Sequence, residues 1–192
     1  MTFLEQIPSE SRKFGWIELI CGSMFSGKTE ELIRRLKRVE FAQQKLILFK
    51  PNIDNRYSES EVVSHKGSSL KARVVNNSKD ILKIWSNEKV VAIDEIQFFD
   101  SDIVEVCNEL AQNGVRVILA GLDMDYLGKP FGPIASLLCI AEYVTKVHAI
   151  CVSCGNLAHY SHRITADTGQ VLVGATEKYE PLCRSCYNKI EH

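Results

Sequence analysis

No run of eighteen apolar residues occurs anywhere in the 192-residue chain, and its opening MTFLEQIPSESRKF has no apolar stretch of signal-peptide length. A membrane helix is thereby excluded on sequence, and a soluble, cytoplasmic protein without a membrane partner is expected. An excess of charge of one sign is also lacking: 23 basic residues stand against 24 acidic ones, a net charge of −1. The electrostatic footprint of a duplex-binding protein is therefore missing, and no nucleic-acid partner is expected. Neither an internal repeat nor a low-complexity tract is present. With 45% hydrophobic residues, the chain can bury a full core as one domain, with or without a small appendage. Its seven cysteines point to thiols or metal ligands over disulfides.

What is present is an alternation. After a polar, aperiodic segment at 1–14, strand-like runs alternate with helical periodicity: WIELIC (16–21), a helix from 28 to about 43, KLILFK (45–50), and a polar stretch to about 70. ARVV follows, then a short helix around SKDILKIW, KVVAID (89–94), a helix from about 101 to 112, VRVILAG (115–121) and YVTKVHAI (143–150). Several of these strands are too apolar to have a wet face, which indicates an α/β fold: a P-loop NTPase-like parallel sheet covered by helices on both faces. After Ile150 the texture changes to cysteines, histidines and glycines. Three segments are expected: a flexible tail at 1–14, the P-loop α/β domain at 15–149, and a small C-terminal zinc-binding domain at 150–192.

Residues 22–29 (Gly22, Ser23, Met24, Phe25, Ser26, Gly27, Lys28 and Thr29) match G-x-x-x-x-G-K-[ST] without a mismatch. An apolar strand precedes the motif, and an amphipathic helix carrying Leu32, Ile33, Leu36 and Val39 follows it. The glycines let successive N–H groups curl inward, and the helix start adds its dipole, so the turn suits phosphate. Lys28 then reaches the β- and γ-phosphates of ATP, and the Thr29 hydroxyl ligates Mg2+. A plain glycine turn is the alternative. In VVAIDEIQFF, Asp94 and Glu95 end an apolar strand, where the ligand crevice of a parallel sheet lies. Asp94 suits Mg2+, and Glu95 can point at the group that attacks the γ-phosphate. The alternative is a solvated acidic pair.

Two C-x-x-C knuckles, Cys151/Cys154 and Cys183/Cys186, supply four thiolates for a closed tetrahedral zinc site. A redox pair is the other use of such a knuckle. His159 and His162 are surplus to that site and read as loop residues, while Cys21, Cys107 and Cys139 read as small core residues.

The G-x-M-F-S-G-K-T loop, DEIQFF, GLDMDYLGKPFG (121–132), the two knuckles and VGATEKYEPLCRSC occur in this order, and together they resemble the type II, cellular-type thymidine kinases over residues 15–188. The resemblance implies transfer of the γ-phosphoryl of ATP to the 5′-hydroxyl of thymidine or deoxyuridine, with Glu95 as the general base. It implies Gln97 on the nucleotide and magnesium side, and Arg56 of DNRYS near the active site, where a surface arginine is the alternative. It implies a nucleoside pocket of Met24, Phe98, Leu122, Tyr126, Phe131 and Tyr179. The main chain of Gln170, Val171, Leu172, Val173 and Gly174 would close over the base as a lasso pinned by the zinc. Tyr126 and Ser161 stand where some relatives carry phenylalanine and threonine. A homotetramer and feedback inhibition by dTTP are also implied.

Two other classes use the same motifs: a DExx-type ATPase with a zinc-ribbon nucleic-acid module, in which Glu95 activates water, and a non-enzymatic zinc-ribbon binding protein. Near-zero net charge and the lack of a second RecA-like half oppose the first, and the intact phosphate loop opposes the second.

Overall fold

The computed structural model describes residues 14–52, 61–63, 69–165 and 178–190. In chain order come β1 (Trp16–Cys21), α1 (Lys28–Phe41), β2 (Leu46–Pro51), a hairpin of β3 (Glu61–Val63) and β4 (Ser69–Lys71), β5 (Arg73–Val75), α2 (Lys79–Ile84) and β6 (Val90–Ile93). A single 3-10 turn over Ile96–Phe98 leads to α3 (Ile103–Gln112), β7 (Arg116–Gly121), α4 (Ile134–Ile140) and β8 (Tyr143–Lys146). Beyond them, β9 (Ala149–Ile150) pairs antiparallel with β10 (Leu157–Ala158), β11 (Tyr160–Arg163) pairs with β12 (Tyr179–Leu182), and α5 (Arg184–Tyr187) follows.

Six strands form one sheet in the order β5-β2-β6-β7-β1-β8, and every pairing in it is parallel. Strand side chains alternate between faces, and both faces are covered. Ile17 and Leu19 of β1, Val91 and Ile93 of β6, and Val117 and Leu119 of β7 meet Ile81 of α2, Ile103, Val106 and Leu110 of α3, and Leu137 of α4. Ile20, Leu48, Ala92, Ile118 and Ala120 meet Leu32, Ile33, Leu36 and Val39 of α1 on the opposite face. The helices therefore lie on both sides of the sheet, and the expected fold class holds.

Three local features differ from expectation. YVTKVHAI is two strands, because Val147 N donates to Cys21 O (2.8 Å) at the end of the large sheet, and β9 then joins β10. The polar stretch before residue 70 contains the β3–β4 hairpin, whose three-residue strands are too short to show a period. IASLLCI forms α4, a helix of 7 residues with no side-chain cap at its start. It buries Ile134 and Leu137, so Cys139 falls on its exposed face and is no core residue; Cys21 and Cys107 are buried as expected.

One buried polar cluster interrupts the apolar pattern. Glu18 of β1 accepts hydrogen bonds from Trp16 Nε1 (2.7 Å), Arg35 of α1 (2.7 Å) and Arg116 of β7 (2.6 Å), and Arg35 also pairs with Glu31 (2.8 Å). Burial raises the Glu18 carboxyl, but hydrogen bonds and charge from Arg116, then Trp16 and Arg35, carry it below the ordinary carboxylate range. Its contribution to stability is therefore present above its unfolded value and is lost as pH falls toward the lowered folded one. Glu18→Ala leaves two buried guanidiniums short of a partner and is expected to cost about 3–5 kcal/mol in urea unfolding at neutral pH. A loss under about 1 kcal/mol, the range of a surface ion pair, would show that the cluster does not act as a unit.

Candidate active site

The phosphate loop joins β1 to α1 by backbone that side chains resist. Gly22 has φ 150°, and a Cβ there would lie 2.1 Å from the carbonyl oxygen of Val147. Gly27 at the start of α1 and Phe25, a non-glycine residue, both adopt left-handed conformations (φ 82° and 62°). Such alternation turns successive N–H groups toward one centre, as an anion nest requires. Ser26 Oγ and Lys28 Nζ each donate to Ser23 O at 2.7 Å. Burial pulls the Lys28 ammonium below the usual lysine range, against the opposing charges of Glu95, Asp94 and Asp123. The loop also meets the C-terminal segment: Met24 N donates to Ser161 Oγ of β11 at 2.9 Å, and Ser23 Oγ to Ala158 O at 3.5 Å. Gly22→Ala must displace the loop from Val147, and since a shift of an ångström costs about a hundredfold in rate, a fall in kcat/KM of about that size is expected in steady-state kinetics. Parental kinetics would show that the loop tolerates the Cβ.

β6 delivers the acidic pair. Asp94 is buried, accepts from Glu95 N at 2.9 Å and is hydrogen-bonded by the Thr29 hydroxyl. Burial, and then the neighbouring Glu95, push the Asp94 carboxyl up to about 7, in spite of those bonds and Lys28. Two carboxylates beside one lysine in a buried site form a natural cation site. The paired Thr29 hydroxyl and Asp94 carboxylate fit Mg2+ accompanying ATP. Glu95 adopts φ 53°, ψ 40°, a left-handed conformation that a non-glycine residue holds only where its surroundings enforce it. Gln97, buried, donates from Nε2 to Glu95 Oε2 (2.5 Å) and accepts from Leu122 N at Oε1 (3.0 Å). Its side chain thus bonds Glu95 directly, a connection invisible in the sequence.

The segment after β7 faces this pair. Leu122 is half-buried next to Gln97, and Phe98 and Phe131 meet edge to face at 5.4 Å. Asp125 accepts from Leu127 N (2.9 Å) and Lys129 N (3.0 Å), closing a turn that places Tyr126 toward β11. Arg163 lies 3.8 Å from the Tyr126 ring centroid and donates to Tyr179 Oη at 2.7 and 3.2 Å. Tyr187 Oη donates to Tyr126 O at 2.7 Å. Tyr126 and Tyr179 are thus joined through Arg163, which sequence reasoning missed because nothing near HYSHRI signals it. Arg56 and the lasso residues Gln170 to Gly174 lie outside the described residues.

The knuckles converge. Ligand sulfurs of Cys151, Cys154, Cys183 and Cys186 all lie within 4.8 Å of one another, and Cys154 Sγ and Cys183 Sγ are 3.6 Å apart. Zinc–sulfur bonds of about 2.3 Å set a tetrahedral edge of about 3.8 Å, so the donors fit structural Zn2+. Gly155 at φ 75° tightens the first knuckle, whose Cys151 O accepts from Gly155 N at 2.9 Å, and Cys186 N donates to Cys183 Sγ at 3.4 Å in the second. The histidines are not both loop residues: His162 sits in β11 against Glu180 (3.0 Å), while His159, between β10 and β11, meets His148 edge to face.

A nest after β1, an acidic pair after β6 and a hydroxyl–carboxylate pair between them define a P-loop nucleotide site, here with four cysteines that fit zinc beside it. A family model described as Thymidine kinase matches residues 15–187. A thymidine kinase of Bacteroides fragilis is 58% identical over 187 residues, covering 97% of this chain and 94% of the relative. One from Bacteroides thetaiotaomicron is 57% identical over 185 residues (96% and 93%), and one from a Rhodothermus species is 53% identical over 173 residues (90% and 81%). The chain belongs to the thymidine kinase family and is an ATP-dependent kinase. Among the described residues, no helix is long and apolar enough to cross a membrane.

Proposed function

We propose that this chain transfers the γ-phosphoryl group of ATP to the 5′-hydroxyl of thymidine and of deoxyuridine, supplying dTMP by salvage for DNA synthesis. The observation that carries this is the convergence of Lys28, the Thr29–Asp94 pair and Glu95 at the carboxyl ends of β1 and β6. The amides and side chains of Gly22 to Thr29 bind the triphosphate. Thr29 and Asp94 would hold Mg2+, which would supply charge neutralisation at the triphosphate. Lys28 stabilises the charge of the transferring group, and the family resemblance adds Arg56 to that role. Glu95 accepts the proton of the 5′-hydroxyl as that oxygen bonds to the γ-phosphorus and the bond to ADP breaks.

Met24, Phe98, Leu122, Tyr126, Phe131 and Tyr179 take the nucleoside, whose flat apolar faces suit such groups. The pyrimidine rim is read by the main chain of Gln170 to Gly174. The kinase domain at 15–149 and the zinc-binding lasso domain at 150–192 divide these tasks, with residues 1–14 a tail outside both. A homotetramer inhibited by dTTP and a cytoplasmic location complete the proposal, on the strength of the family's motifs.

Polar groups matched to thymine are left unpaired by other bases, so kcat/KM for deoxycytidine and deoxyadenosine should lie at least about a hundredfold below that for thymidine. A phosphoryl-transfer assay across the four nucleosides tests it, and comparable values for deoxycytidine and thymidine would overturn it.

A further inference from the structure

We infer that Gln97 is a positioning residue, which fixes the Glu95 carboxylate through one side-chain amide and ties it to the backbone of the nucleoside-binding segment at Leu122. The inference rests on the assignment of Glu95 as the general base.

Chain geometry makes the amide a rigid link. Leu122 N–H can only donate, so the amide atom facing it (3.0 Å) must be Oε1, and Nε2 must then face Glu95 Oε2 (2.5 Å). Neither end can rotate without losing a partner. Only 2% of Gln97 is exposed, so water cannot replace either bond, and an unmade one leaves a buried polar group. Two glycines leave the residue its space. A Cβ on Gly121 would lie 2.5 Å from Gln97 Oε1, and one on Gly132, at φ 53°, would lie 2.2 Å from Gln97 O. Side chain and backbone of Gln97 are thus each met by a residue without a Cβ.

The link also has a task. Glu95 sits in a left-handed conformation at the head of the 3-10 turn that carries Gln97 two residues later, so its backbone alone does not aim its carboxylate at one point. The donated bond selects one rotamer and leaves Oε1 of Glu95 for the 5′-hydroxyl. β7 lies beside β6 in the sheet, which brings Leu122 within reach of that same amide. Any adjustment of the 122–126 segment to a bound nucleoside therefore moves Oε1 of Gln97 and, through the planar amide, the base. Nucleoside seating and base orientation are one event.

The test is a double-mutant cycle on kcat, with ATP affinity and melting temperature measured in parallel. Gln97→Leu removes both bonds at similar size; Gln97→Met removes them with an unbranched side chain and no new charge, and serves if the leucine variant does not fold. Each is expected to lower kcat about 10- to 100-fold, with ATP affinity within about threefold of the parent. In the Glu95→Gln background the same changes are expected to shift kcat by less than about threefold, because a residue that acts through Glu95 has nothing left to position. Parental kcat in both Gln97 variants, or losses that multiply with that of Glu95→Gln as an independent structural defect would, overturns the inference. Near-parental turnover in Glu95→Gln alone removes the base assignment itself, and the positioning role with it.

Discussion

Glu95→Gln is expected to lower turnover by about a hundredfold or more while ATP binding persists, the range that loss of a general base produces. The substitution keeps the size of the side chain and an oxygen to accept from Gln97 Nε2, and it removes only proton affinity and charge. Charge matters to the surroundings as well. Glu95 is one of the groups that push the Asp94 carboxyl up and support the Lys28 ammonium, so its neutralisation eases the ionisation of Asp94 and weakens the hold on the Lys28 proton. Neither change removes a phosphate contact, which is why the loss belongs in kcat and not in the affinity for ATP. Turnover within a few-fold of the parent would take the role of base away from Glu95.

Cys183→Ser is expected to bring zinc content below one per chain and to lower the melting temperature by several degrees, since a structural zinc site of this kind supplies about 10–16 kcal/mol of folding free energy in small peptides. Cys183 directly follows β12 and caps α5, and Val152 in the first knuckle donates to Pro181 O at 3.1 Å, so the two hairpins share one anchor. Thymidine use should suffer more than ATP use. Arg163 on β11 stacks on Tyr126 and bonds Tyr179 on β12, whereas the phosphate loop is built mainly on β1 and α1 and meets these hairpins at Ser161, at Ala158 and through Phe25. Retained zinc together with parental thymidine kinetics would rule this out.

What was legible in the sequence was local. The phosphate loop is eight contiguous residues, each knuckle spans four, and β1, β6 and β7 are buried on both faces and so read as apolar runs, broken only by Glu18 and by Arg116 at the start of β7. What was not legible depends on strand order. Gln97 meets Leu122 because β6 and β7 are neighbours, and Ser161 meets Met24 because β11 folds back onto the loop; neither pairing leaves a period or a spacing behind. Glu18 reads as an exception in WIELIC until Arg35 and Arg116 arrive from α1 and β7 to neutralise it. The short helix α4 escaped because seven residues do not complete two full turns, and Cys139 was misplaced with it. The split of YVTKVHAI follows from competition between the large sheet and the knuckle hairpin for one apolar run, which hydropathy cannot divide.

Product stoichiometry is the most direct test of phosphoryl transfer to a nucleoside. With ATP, Mg2+ and thymidine, and with zinc retained, each ADP formed is expected to be matched by one thymidine 5′-monophosphate and no inorganic phosphate, and ADP release should not respond to added DNA. ADP appearing with inorganic phosphate in place of the nucleotide would show that Glu95 activates water, and would contradict the kinase assignment of this site.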